Sequence, residues 1–225
     1  MSVLLETSVS DLVIDSEVET CPKTCENFLK LCKVHYYTLG TFSHISKGFF
    51  AQAGDPSATG TGRESIWSLI ASQSLSNASA PRCFSPELHP GLKHTHKGTV
   101  SIAVGSGAQG MRRGCASQFF VTLSDNIDFL NGEHAVFGHV VEGPDTLDRL
   151  NDISVGPNGR PLEDVQIRRV VMTIRFLILG DWSCHLHLPH NHYLLALRLW
   201  MSLETASVLF AFVVGHHLLI YGTLV

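Results

Sequence analysis

Apolar positions in this chain follow two rhythms. Ser2 to Glu6, Asp11 to Ile14, Thr41 to Ile45, Phe49 to Ala53, Gly98 to Val104, Gln118 to Leu123, Ala135 to Val141 and Val165 to Met172 are short β-rich runs, which predicts eight strands. Between the second and third runs the period changes. Cys25, Phe28, Leu29 and Cys32 recur at i, i+3, i+4 and i+7 behind Pro22. That spacing predicts a helix with proline at its first position, where the missing N–H costs nothing, and with Lys23, Glu26, Asn27, Lys30 and Lys33 toward solvent. Pro144 opens a second predicted helix that turns Leu147 and Leu150 inward. The Gly/Ser/Thr-rich stretch from Gly54 to Ser65 has no period and reads as a loop.

Strands and helices that do not alternate argue for a closed antiparallel β architecture rather than a doubly wound sheet. The 225 residues, 44% hydrophobic and 16% charged, have the size of one well-cored domain plus an appendage. The division expected is a domain over 1–172 and an apolar tail, almost without acids, over 173–225. A formal net charge of -4 with no basic run gives no electrostatic footprint for nucleic acid. Cysteines at 21, 25, 32, 83, 115 and 184 form no C-x-x-C pair, so free thiols are expected, with Cys25 and Cys32 filling a helix face. Met1 to Asp11 lacks the charged segment and small-residue cleavage site of a secretory signal, which points to the cytosol or nucleus.

Several clusters invite a chemical reading and do not sustain it. His94 and His96 would share one face of a strand, yet no carboxylate or cysteine lies close in sequence to complete a site, and no metal is expected. Gly54 to Gly62 is followed by neither G-K-[ST] nor a helical pattern, which excludes a phosphate loop. His185, His187, His190 and His192 stand at metal-like spacing but in low-complexity surroundings. Thr205 to Val225 has about the length of a membrane span, roughly 20 residues, and is interrupted by His216 and His217. Two readings of the tail stand: a membrane anchor, and a truncated or alternatively read C-terminus without structure of its own. The second is favoured because the change of character falls at the end of the last predicted strand.

Three separated stretches carry the functional signal. The first is F-S-H-I-S-K-G-F-F-A-Q-A-G-D over Phe42 to Asp55, and the second runs from Gly98 to Ala103 and on to Ser117-Gln118-Phe119-Phe120. The third is Phe129-Leu130-Asn131-Gly132-Glu133-His134 with Val136-Phe137-Gly138. In this order they resemble the cyclophilins, and the resemblance covers roughly Ser2 to Met172. Members of that family hold proline-containing peptides in an apolar pocket and speed rotation about the X–Pro bond. The resemblance implies a closed eight-stranded antiparallel β-barrel capped by two helices, and a reaction that needs no cofactor. A monomer whose partners are proline-containing peptides or proteins is expected.

Carried over residue by residue, the resemblance implies a catalytic set of His44, Phe49, Gln52, Phe120 and His134. Phe50, Ala103, Val104, Gln118, Phe129 and Leu130 would contact substrate, with Gln52 and Gln118 holding the peptide backbone. Three positions depart from the family pattern. His44 stands where active members carry arginine, and it lacks the five-donor guanidinium fork. A charge-assisted hydrogen bond contributes roughly 1.5–3 kcal/mol, so this change implies a rate reduced on the order of 10- to 150-fold. Phe129 replaces a common tryptophan, which implies poor cyclosporin binding, and Val104 replaces a common asparagine. Between Val104 and Ser117 the chain is longer than is typical, through Gly107 to Arg113, beside the groove.

The wording S-V-L-L-E-T-S, P-K-T-C-E-N-F-L-K-L-C-K and V-V-E-G-P-D-T-L-D-R-L-N-D is similar to nuclear cyclophilins that carry an RNA-recognition module, in which the arginine is itself often absent. No R-G-F-G-F-type signature follows here, so no direct RNA binding is expected. Two functions result: a peptidyl-prolyl isomerase of reduced activity that assists protein folding, and a catalytically silent proline-peptide binding module in a nuclear RNA-processing assembly.

Overall fold

The structure, a computed structural model, describes residues 1–73, 80–105 and 114–173. The 107–113 insertion, Cys184, the tail histidines and the candidate span at 205–225 lie outside the described residues. β1 (Ser2–Thr7), β2 (Asp11–Ser16), β3 (His44–Ser46), β4 (Phe50–Ala53), β5 (Thr99–Gly105), β6 (Gly114–Thr122), β7 (Val136–Glu142) and β8 (Ile167–Thr173) form one curled antiparallel sheet. Its order is β3-β4-β6-β5-β7-β2-β1-β8.

All eight predicted strands are present, most with ends moved by one or two residues and two with starts moved further. β6 starts at Gly114 rather than Gln118, because the small residues Gly114 and Cys115 pair with Gly105 and Val104 at the end of β5. β3 starts at His44, while Thr41 makes only an isolated bridge to Gln166. The stretch from Lys93 to Lys97 is not a strand, so His94 and His96 do not share a strand face.

Among the described residues there are three α-helices, one more than the sequence predicts. α1 (Pro22–Lys33) and α3 (Pro144–Asp152) begin at their prolines as expected. α2 (Ile66–Gln73) follows the glycine-rich loop, where no helix is predicted. Ser65 caps it, its hydroxyl accepting the N–H of Ser68 at 3.2 Å. The phosphate-loop exclusion therefore rests on the missing G-K-[ST] alone.

α1 buries Cys25, Phe28, Leu31 and Cys32, and Phe28 meets Tyr37, Phe119 and Phe137 at ring separations of 5.0–5.5 Å. Asn27 is the correction on this helix, since it is fully buried rather than solvated. Its Nδ2 donates to the Ala116 carbonyl at 2.8 Å and its Oδ1 accepts the Ile66 N–H at 2.9 Å, which joins α1 to β6 and α2. Cys21, at the N-cap, supplies no side-chain bond to the helix N–H groups. Glu87 does so from a distance, accepting the N–H of Lys23 and of Thr24 at 3.2 and 2.6 Å. A carboxylate at a helix N-terminus also suits the helix dipole.

Outside the sheet's two end strands, neighbouring loops carry the pairing. Ile45 N–H donates to the Gly159 carbonyl at 2.7 Å, and Phe42 N–H to the Val165 carbonyl at 2.9 Å.

Candidate functional site

Strand alternation builds the site. β4 and β6 are antiparallel neighbours with Gln52 opposite Phe120. Ala51, Ala53, Phe119 and Val121 go to the core, which leaves Phe50, Gln52, Gln118 and Phe120 on the opposite face. On β5 the register jumps from Ile102↔Phe119 to Val104↔Cys115, so β6 carries the extra residues of a bulge beside Ala103. A short 3-10 turn, Asp128–Leu130, then brings in Leu130, with His134 a turn later.

These elements enclose a hollow of about 250 Å³ lined by Phe50, Gln52, Ala103, Val104, Gln118, Phe120, Leu130 and His134, with Gly60 and Gly105 completing it. Eight of the eleven sequence-derived residues thus share one cavity wall. Phe49 and Phe129 sit at the rim, ring centroids 4.9 Å apart, with Phe49 4.5 Å from Phe50. His44 stands outside the lining. Its ring lies 5.5 Å from that of Phe50 and against Gly159, where any β-carbon would collide with the imidazole.

The polar groups are few and fixed by one another. Gln118 Nε2 donates to the carbonyls of Gly60 and Gly62 at 3.1 and 2.7 Å, so its Oε1 faces Gln52 and accepts from Nε2 at 2.9 Å. Gln118 is therefore committed to holding the 54–65 loop, and Gln52 is left as the glutamine with an oxygen to offer a ligand. His134 Nδ1 lies 3.2 Å from the Val104 N–H, which donates to it, and 3.4 Å from the Ile102 carbonyl, so this nitrogen faces the β5 backbone rather than the hollow's ligand. His44 Nδ1 lies 3.1 Å from the Asn158 carbonyl, which can only accept. The neutral His44 ring thus presents a lone pair, not a donor, on Nε2.

Behind the hollow, His94 is fully buried and stacks on Phe120 at 6.0 Å. Its Nδ1 and backbone N–H both donate to Asn131 Oδ1, at 2.8 and 2.9 Å, and its Nε2 meets the Ser101 hydroxyl at 2.8 Å. Burial holds its pKa below the ordinary histidine value, the neighbouring His134 lowers it further, and the Asn131 bond and Asp128 oppose the shift. Both ring nitrogens are occupied by protein groups, so the ring clamps the 128–134 turn.

Sequence reasoning missed Gly60, Gly105, His94 and Asn131. Glycines contribute no side-chain chemistry to recognise, and the His94 partners lie 37 and 7 residues away. Arg63 was also missed; it is buried, with its guanidinium in the space that a β-carbon on residue 105 would take, so a larger residue there would displace it.

The comparisons agree with this geometry. Residues 2–172 match the family described as cyclophilin type peptidyl-prolyl cis-trans isomerase/CLD. Over 170 residues the chain is 59% identical to "Peptidyl-prolyl cis-trans isomerase-like 4" of Cryptococcus neoformans var. neoformans, covering 76% of this chain and 33% of that protein. Over 186 residues it is 49% identical to the protein of the same name from Mycosarcoma maydis, covering 76% and 34%. The chain thus spans about a third of the length of these curated relatives. A crystal structure of a Cryptosporidium parvum cyclophilin type peptidyl-prolyl cis-trans isomerase, determined in the presence of the dipeptide Ala-Pro, superimposes with a TM-score of 0.66 at 32% identity. That match covers 76% of this chain and 98% of the other. A shared profile over residues 2–172, close relatives and a common fold place this chain in the cyclophilin type peptidyl-prolyl cis-trans isomerase family.

Proposed function

We propose that this chain binds proline-containing segments in the Phe120 hollow and accelerates rotation about the X–Pro bond. The observation that carries the proposal is the convergence of Phe50, Gln52, Ala103, Phe120, Leu130 and His134 from three strands and a turn on one small cavity. Rotation must break amide resonance, a barrier of about 18–20 kcal/mol, and for X–Pro the two end states are nearly isoenergetic. No nucleophile is needed. An apolar seat for the ring and a few fixed polar groups for the flanking chain suffice, provided they favour the twisted amide over the planar one. Phe120 gives the floor, Leu130 and Ala103 the walls, and Gln52 Oε1 the acceptor for a substrate N–H.

The hydrogen bonds that link residues 39–42 to 165–167 support a further part of this reading, that the curled sheet closes as a barrel. A proteolysis-coupled proline-peptide assay on the whole chain tests the activity. Acceleration above the uncatalysed rate is expected, and its absence overturns the catalytic reading.

One observation favours a second reading, a binding module that holds proline peptides without turning them over. His44 is tied to Asn158 and packed on Gly159, and its ring lacks the five-donor fork that the resemblance calls for. Peptide-induced shifts in an NMR titration, without accelerated exchange between isomers, would favour this reading over the first.

A further inference from the structure

Of the nine prolines in the chain, only Pro86 follows a residue that carries a hydroxyl. The Ser85–Pro86 pair lies between α2 and β5, in a stretch that touches the sheet through the isolated bridge of Phe84 to Cys115. Phe84 is buried and Ser85 is exposed. No backbone N–H of Ser85, Glu87 or Leu88 is given to another described residue, and the Ser85 hydroxyl has no partner among the described residues. A hydroxyl on a surface segment whose backbone is not committed to a helix or sheet reaches an enzyme's cleft without local unfolding. Proline at the next position offers no N–H, so the enzyme that accepts this segment is one whose cleft does not require that donor.

The surroundings provide for the product of such a modification. Lys23 Nζ stands 5.7 Å from the centroid of the Phe84 ring and 5.3 Å from that of Trp67, with no carboxylate partner among the described residues. Two residues beyond Ser85, the Glu87 carboxylate accepts the N–H of Lys23 at 3.2 Å and of Thr24 at 2.6 Å. The residue before Ser85 and the residue two places after it therefore both meet the first turn of α1, which sets Ser85 beside Lys23. Arg82, three residues earlier, is already bonded to Glu64. A phosphoserine carries a charge of about −1.5 to −2 at neutral pH and three strong acceptor oxygens. An ammonium resting on aromatic faces gains a charge-assisted bond by turning to it.

We propose that Ser85 is a phosphorylation site for a proline-directed kinase and that its phosphate pairs with Lys23. The site lies outside the Phe120 hollow and does not depend on the proline-pocket reading. In the transfer, Ser85 Oγ forms a bond to the γ-phosphorus of ATP as the bond from that phosphorus to the bridging oxygen of the departing ADP breaks. The hydroxyl proton passes to a carboxylate base of the kinase.

The test is incubation of the full native chain with ATP and a proline-directed kinase of the mitogen-activated class, with the phosphoryl group located by mass spectrometry. One group per chain is expected, on Ser85, at a rate within about tenfold of that of a free peptide spanning residues 80–92, because no unfolding precedes access. Pro86→Ala, which keeps the hydroxyl, should abolish incorporation. No incorporation into the native chain, incorporation at another residue, or undiminished incorporation in Pro86→Ala would overturn the site. Phosphorus NMR of the phosphorylated chain reads the pairing. The second phosphate pKa, about 6 in free phosphoserine, should rise by at least about 0.3 when Lys23→Met removes the ammonium. The same pKa in both proteins would overturn the pairing with Lys23.

Discussion

The side-chain amide of Gln52 donates to that of Gln118 at 2.9 Å, and this bond divides the labour between the two glutamines. Gln118 spends both ends of its amide inside the protein, whereas Gln52, which also lines the hollow, commits its Nε2 to Gln118. Gln118→Leu should therefore lower stability by about 1–3 kcal/mol in urea denaturation, since the Gly60 and Gly62 carbonyls lose their donor. Gln52→Ala should leave stability within about 0.5 kcal/mol and reduce peptide affinity instead, measured by titration.

His44→Arg should raise turnover. The substituted guanidinium supplies the donors that the imidazole, tied to Asn158, does not. A gain on the order of 10- to 100-fold in kcat/KM is expected from one charge-assisted bond. An unchanged value would place the limit on catalysis elsewhere in the groove.

Asn27→Ala should be among the most damaging substitutions on α1 although it removes no apolar surface. Two buried backbone groups, at Ala116 and Ile66, lose their partners together. At about 1–3 kcal/mol for each orphaned group, a loss of about 2–6 kcal/mol is expected in denaturant unfolding.

His94 makes stability depend on pH. Its pKa in the fold is lowered by burial, so the unfolded chain takes up the proton more readily. The contribution is fully present above the unfolded value, about 6.5, and is lost as pH falls below it toward the folded value. Asn131→Asp places a carboxylate against the ring, raises the folded pKa and should flatten this acid-side slope. Urea midpoints at pH 5 and pH 7.5 for the two proteins measure it, with the variant expected to gain about 1 kcal/mol on the acid side relative to neutral.

The buried thiols should be inert. Burial pushes Cys21 to about 11 and both Cys25 and Cys115 to about 12, and it raises Cys32 as well. Among the described cysteines only Cys83 is partly exposed. Iodoacetamide at pH 8 should label Cys83 at least about a hundredfold faster than the other four, a difference that vanishes in urea and is read by mass spectrometry.

The strands were legible because one face of each is apolar and their period is short. The α1 and α3 starts were legible because proline marks them. Asn27 was misread for a physical reason: polarity suggests solvent, but a residue between Thr24 and Phe28 on that helix belongs to the inner face, and only distant backbone groups show how it is satisfied. α2 escaped because a helix of eight residues behind a glycine-rich loop offers little period to detect, although Ser65 three residues before Ser68 was a capping signal in plain view. Within the hollow the aromatic and amide side chains could be named from their motifs. The glycine walls and the His94 clamp could not, since both depend on long-range closure of the chain.

Ile45, whose amide is taken up by Gly159, has a consequence for how the molecule meets its own copies. An outermost strand usually advertises unpaired backbone to any passing chain. Here that border is three residues long and already occupied by a loop of the same polypeptide, so ribbon-to-ribbon stacking between molecules finds no template on this flank.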